Sequence, residues 1–186
     1  MITPETKSWT WVLERSCPDC GLDTPSVPRG RVAAMTRANA AAWHRFLVSG
    51  GEGLRLRPAP DTWAPVEYAC HVRDVHRLFD ERLRLMLERD APDFANWDQD
   101  ATAIEAGYAE QDPAAVAAEL VAAAAVLADR FTAVPDDAWG RVGNRGDGTV
   151  FTVESFARYF IHDPVHHLWD VTGVRAGDER ASHERV

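Results

Sequence analysis

TVESFARYFIHDPVHHLWDV, residues 152–171, is the stretch on which the fold turns. Thr152 has the hydroxyl that an N-cap needs, and Gly173 is a helix stop signal. Between them, Ser155, Tyr159, His162, His166 and then Trp169 or Asp170 follow one helical stripe. Phe156, Phe160, Val165 and Trp169 cover the neighbouring sector. The segment therefore reads as a helix with one buried face and its histidines at the edge of that face. Pro164 lies inside it and costs about 3 kcal/mol in a helix interior. Either it kinks the helix between His162 and His166 and sets their separation, or it bends a long helix around a core.

Three further helices are read on the same grounds. Residues 29–48 carry Val32, Met35, Trp43, Phe46 and Leu47 among alanines and stop at Gly50-Gly51. Pro65 opens a helix over 66–89, where Val72, Val75, Leu78, Phe79, Leu83, Met86 and Leu87 recur at three-and-four spacing. Pro113 opens another over 114–133, which ends before Pro135. A short helix is expected around 101–109, and 135–150, with four glycines, reads as a loop. Four long helices without a convincing strand series predict an all-α chain, a four-helix bundle. The expected boundaries are an irregular N-terminal arm over 1–27, the bundle over 28–172 and a charged tail over 173–186. Trp9, Trp11, Val12 and Leu13 make the arm too apolar to float, so it should dock on the bundle.

The chain has 186 residues and 46% hydrophobic content, enough for one cored domain. Its net charge of −9 argues against nucleic acid or an anionic membrane as the main partner. The N-terminus has no apolar run like a signal peptide, and Glu119 interrupts the alanine-rich run 114–128. The three cysteines, an odd number, suit a reducing compartment. Together these lead to the expectation of a cytoplasmic protein.

The chemistry concentrates in the histidines. His162 and His166, four apart, project together and make half of a metal site. His71 lies on the stripe of Glu67, Asp74 and Leu78 in the second helix. If the two helices pack together, His71 completes a three-histidine centre with room for water or substrate, and Glu67 or Asp74 could orient its ring. The alternative is a chance pair, because an i,i+4 coincidence is common. His76 falls elsewhere on the wheel and reads as surface. Three imidazoles suit zinc, nickel, iron or copper, of which zinc or nickel is taken first.

Cys17-Pro18-Asp19-Cys20-Gly21 is a C-x-x-C knuckle lacking the second pair that a zinc ribbon requires. A structural loop ranks first, a partial metal knuckle second and a redox pair third. The arm could also fold over the bundle mouth and bring Cys17 or Cys20 near the centre. Cys70 with a histidine could complete four ligands, though nothing in the sequence places them together. Arg145, in Asn144-Arg145-Gly146-Asp147-Gly148, either receives a carboxylate of a cofactor or substrate or holds its turn through Asp147. Trp63, Trp97, Tyr108 and Trp139 either line a pocket or sit in the core.

Trp63, Pro65-Val66-Glu67-Tyr68 leading into His71, and His162-x-x-x-His166 together resemble the DinB-like superfamily of four-helix metalloproteins. The likeness covers about 29–171 and is greatest to an actinobacterial branch related to the N-terminal domain of mycothiol-dependent maleylpyruvate isomerase. It implies a divalent metal on His71, His162 and His166, and similarity to bacillithiol and mycothiol S-transferases, in which the metal activates a thiol. His167 and Asp163 would assist as proton carrier or hydrogen-bond partner; for His167 the alternative is a partly buried ring satisfied by backbone. The implied activity is a metal-dependent thiol S-transferase with mycothiol as cofactor and a small electrophile as substrate. The competing readings are a metal-dependent hydrolase using activated water, and a non-catalytic metal-stabilised binding or stress-response module. Homodimerisation through helix faces is compatible with such bundles.

Overall fold

The computed structural model describes residues 8–178. Five α-helices dominate it: α1 Val32–Ser49, α2 Pro65–Glu88, α3 Gln99–Glu105, α4 Pro113–Thr132 and α5 Val153–Thr172. The four long ones are the predicted four and form the bundle. Their ends follow local chemistry. Pro65 and Pro113 occupy first turns, where no amide hydrogen is missed. The Asp112 carboxylate accepts the Ala115 amide, and the Thr152 hydroxyl accepts the Ser155 amide while Ser155 Oγ accepts from Thr152 N. Gly173, at φ 70°, takes the left-handed conformation that ends α5. The helix runs through Pro164, whose carbonyl accepts from Asn39 Nδ2 at 3.0 Å and Trp43 Nε1 at 3.3 Å. These two bonds tie α5 to α1.

The alanine-rich α4 packs against both α1 and α2. Its buried face is Val116, Ala117, Leu120, Ala124, Leu127, Ala128 and Phe131, in which three alanines leave room for close helix approach. One apolar cluster gathers Trp43, Leu47, Val66, Val72, Tyr108 and Leu120. A second gathers Phe79, Leu83, Met86, Phe131, Phe156 and Phe160 with the arm residues Cys17, Cys20, Leu22 and Val27. Full burial of a Leu or Phe contributes about 1.5–3 kcal/mol, so the arm shares in the core energetics. Arg158 Nε donates to Val27 O and fixes its end.

Three points differ from the sequence reading. The loop 135–150 contains part of a small sheet: β1 Asp93–Phe94, parallel to β2 Val142–Arg145, which is antiparallel to β3 Val150–Thr152. Strands of two to four residues with glycines inside carry no readable alternation. Gly143 is required there, since a Cβ would collide with the Phe94 ring and come within 2.9 Å of Met86 Cγ. His76, expected at the surface, is wholly buried, because Val72, His76, Phe79 and Leu83 share one inward stripe. The short helix ends at Glu105, ahead of the expected 109. Of the expected charged tail, 179–186 lies outside the described residues. Among those described, no helix is long and apolar enough to cross a membrane.

Candidate metal centre

α5 presents two interleaved i,i+4 pairs, Asp163 with His167 and His162 with His166. Adjacent residues on a helix point about 100° apart, so the two pairs face different neighbours. Asp163 and His167 face α2 and meet His71. The ligand-capable atoms of His71, Asp163 and His167 all lie within 4.8 Å of one another. His162 and His166 face the arm and meet Cys17 and Cys20 in a second group of the same compactness. The structure thus divides the expected trio: His71 stands with Asp163 and His167, and apart from the His162–His166 pair. Asp163 and His167, expected beside a metal, are placed as potential ligands themselves.

His71 Nε2 stands 3.5 Å from Asp163 Oδ1, and His167 Nε2 is 3.9 Å from Asp163 Oδ2. Nitrogen and oxygen bound tetrahedrally to one zinc would be about 3.4 Å apart, from bond lengths near 2.1 Å. Both ring nitrogens of His71 and the Oδ1 of Asp163 are buried without a hydrogen-bond partner. Buried polar atoms left unpaired cost about 1–3 kcal/mol each, and a shared cation would satisfy two of them at once. The residues present therefore fit a divalent cation.

Burial lowers His71 below the usual imidazole range, against an upward pull from Asp163. Burial works against the Asp163 carboxylate, but His71 and His167 hold it ionised, well below the carboxylate range. Burial also depresses His167, yet Asp163 and Asp170 outweigh it and raise that imidazole. Asp170 Oδ2 lies 2.8 Å from His167 Nδ1, so the Nδ1–H donates to it and Nε2 is left facing Asp163. Neither carboxylate expected to orient His71 does so. Glu67 accepts from Arg57 and from the Ala64 amide, and Asp74 from Arg73, Arg77 and Tyr108.

Trp97 stacks on His71 with centroids 5.2 Å apart and Trp63 flanks it at 5.3 Å, so both line the site. Tyr108 and Trp139 instead sit in the core. Two clefts converge on Asp163. One, of about 380 Å³, is walled by Trp9, Trp63, Tyr68, His167 and Asp170. The other, of about 610 Å³, is walled by His71, Arg82, Trp97, Arg145 and Tyr159. Arg145 donates to Asp147, to the Tyr159 hydroxyl and to Thr149, so it holds its turn together and lines the second cleft at the same time. Arg82 is buried, and its Nη2 donates to the Ala95 carbonyl.

In the second group, Cys17 Sγ lies 3.6 Å from His166 Nδ1. Burial lowers the imidazoles of His162, to about 4, and of His166. Burial also pushes the Cys20 thiol up to about 12. Cys70 lies elsewhere, its thiol donating to Gln111 Oε1 at 3.4 Å. The arm thus brings Cys17 and Cys20 to His162 and His166, in a group separate from His71, Asp163 and His167.

A family model of the DinB superfamily matches residues 31–171. Among solved structures, YfiT from Bacillus subtilis, described as a probable metal-dependent hydrolase with an unusual four-helix bundle topology, is similar with a TM-score of 0.73. The identity is 17%, over 84% of this chain and 91% of that one. No match was found among curated proteins.

Proposed function

The chain belongs to the DinB superfamily, and we propose that it is a metal-dependent hydrolase whose cation is held by His71, Asp163 and His167. The observation that carries this reading is a pair of buried ligand atoms, His71 Nε2 and Asp163 Oδ1, 3.5 Å apart and without a hydrogen bond, at the meeting point of two clefts. Three protein ligands leave a coordination position open, which separates a catalytic from a structural site. A divalent cation there would supply a Lewis acid that activates water at neutral pH and polarises a substrate carbonyl or phosphoryl group.

The protein's own groups do the remaining work. Asp163 supplies the one negative charge of the ligand set and offsets part of the cation's charge. Asp170 holds His167 in the tautomer that leaves Nε2 free. Trp97 stacks on the His71 ring and Trp63 packs tilted against it, so the two indoles hold that ring in place. Asp61, Asp100 and Tyr159 line the first cleft, where a carboxylate can take a proton from the nucleophile.

Thiol S-transfer is a second reading, and one observation favours it. Arg82 and Arg145 both line the second cleft, where guanidinium N–H groups can donate to the hydroxyl and carbonyl oxygens of a thiol cofactor such as mycothiol. One experiment separates the two: metal-loaded protein is assayed on ester, amide and phosphoester panels, with and without mycothiol. Turnover without thiol that is lost in His71→Ala supports hydrolysis. Turnover only with thiol replaces it with S-transfer. No turnover under either condition overturns the enzyme reading and leaves a binding module.

A further inference from the structure

We infer that Cys17, Cys20, His162 and His166 form a second, closed metal site of the Cys2His2 type, which takes zinc as a structural ion and locks the N-terminal arm to α5. The inference stands apart from the proposed activity and holds whether or not the first centre is catalytic.

Four observations converge on it. The spacings Cys17-x-x-Cys20 and His162-x-x-x-His166 both fall in the range of structural zinc sites. The four residues are separated by some 140 positions in the chain, yet their ligand atoms lie within 4.8 Å of one another and all four are buried. Cys17 Sγ and His166 Nδ1 are 3.6 Å apart. A sulfur and a nitrogen bound tetrahedrally to one zinc, at about 2.3 and 2.0–2.1 Å, are about 3.6 Å apart. Finally, His162 Nε2 is buried without a hydrogen-bond partner, which a fourth coordination bond would supply.

The backbone around the cysteines is already shaped for the task. Cys17 N donates to Leu22 O and Gly21 N to Cys17 O, closing a tight knuckle with Gly21 at φ 78°. The segment that follows α5 clasps this knuckle from outside. Ala176 N donates to Cys20 O at 2.7 Å, and Arg175 Nη2 to Pro18 O at 2.9 Å. Two thiolates and two neutral imidazoles give a complete tetrahedral set with no open position, which distinguishes this site from the first. Its consequence is positional. Trp9 lies 5.4 Å from the His162 ring and 5.0 Å from the His166 ring, and lines both clefts. Zinc at the knuckle would therefore fix a wall of the neighbouring pocket.

Cobalt(II) substitution tests this on the wild-type chain without a variant. The inference predicts a thiolate-to-cobalt charge-transfer band in the near ultraviolet and strong visible bands of a tetrahedral ion. In His71→Ala both remain. In Cys17→Ser/Cys20→Ser the charge-transfer band disappears and the bound metal falls by one equivalent per chain. Where that double variant fails to fold, zinc release is followed on the wild type: blocking the thiols with an organomercurial should free one zinc. The inference is overturned if wild-type cobalt protein shows no sulfur charge transfer. It is also overturned if anaerobically purified chain holds a Cys17–Cys20 disulfide, or if blocking the thiols frees no zinc. Loss of the first centre alone, as in His71→Ala, removes the other equivalent, so the two proposals fail separately.

Discussion

Lowering the pH should destabilise the fold through His76, and His76→Met should remove that part of the acid response. The ring is wholly buried on α2, with its edge toward Phe160 at 5.3 Å. Nδ1 lies 2.6 Å from the Val72 carbonyl, so it carries the hydrogen, while Nε2 is buried without a partner. Burial lowers its pKa from 6.5 to about 4, against a smaller upward pull from the Val72 carbonyl. The folded pKa is depressed below the unfolded one, so the unfolded chain binds the extra proton between these values. Stability is then complete above pH 6.5 and falls as the pH drops toward 4. The linkage gives a loss of about 0.8 kcal/mol at pH 6, about 2 kcal/mol at pH 5 and about 3 kcal/mol at pH 4. The assay is urea unfolding of metal-saturated wild type and variant at each pH. With an m-value of about 2 kcal/mol/M, the gap between the two midpoints should change by about 1 M between pH 7.5 and 5. The remaining titrating groups are common to both chains and cancel in the difference. Parallel midpoint curves from pH 7.5 to 4 would refute the reasoning and mean that His76 protonates in the fold as readily as in the open chain.

Asp170→Asn should weaken metal binding at the first centre by about 10–100-fold, because a ligand histidine loses its carboxylate partner; competition with a chromophoric chelator measures it, and an unchanged affinity would mean that Asp170 plays no orienting part. Gly143→Ala should cost about 1–3 kcal/mol, since the added methyl meets Phe94 and Met86, and thermal unfolding reads the loss. Tyr108→Phe removes the hydroxyl that donates to Asp74 Oδ2 at 2.6 Å. A hydrogen bond to a charged acceptor contributes about 1.5–3 kcal/mol, and denaturation at neutral pH should show a loss of that size. Burial pushes the Asp74 carboxyl up, but hydrogen bonds from Arg73 and Tyr108 outweigh it and hold it below the usual range. The stability it adds is therefore present above pH 4 and lost as the pH falls further, and the variant should flatten that acid limb.

Helix identity was legible because each long helix carries its own signals. Pro65, Pro113, Thr152 and Gly173 mark ends, and the stripe through Val72, Phe79, Leu83 and Met86 marks a buried face. The family was legible from Trp63, the Pro65–Tyr68 run and the histidines. The partition of the histidines was not. It depends on how far α5 is rotated about its axis, and a spacing of four is satisfied equally by His162/His166 and Asp163/His167. The signal was present in those two pairs offset by one residue, which imply two partners on two faces, and in a C-x-x-C that lacked two ligands. Only packing brings residues 17 and 20 to 162 and 166. His76 was misplaced for a related reason: an imidazole in a core stripe looks like a polar break until the neighbours across the bundle are known.

The assignment of His71, Asp163 and His167 as the metal-holding set is tested most directly by an anomalous difference map at the zinc edge, from crystals of untagged, zinc-loaded protein. The account predicts a peak bonded to His71 Nε2, an Asp163 carboxylate oxygen and His167 Nε2, with a coordination position left for solvent. No peak there, or a single ion bonded jointly by His71, His162 and His166, would contradict it.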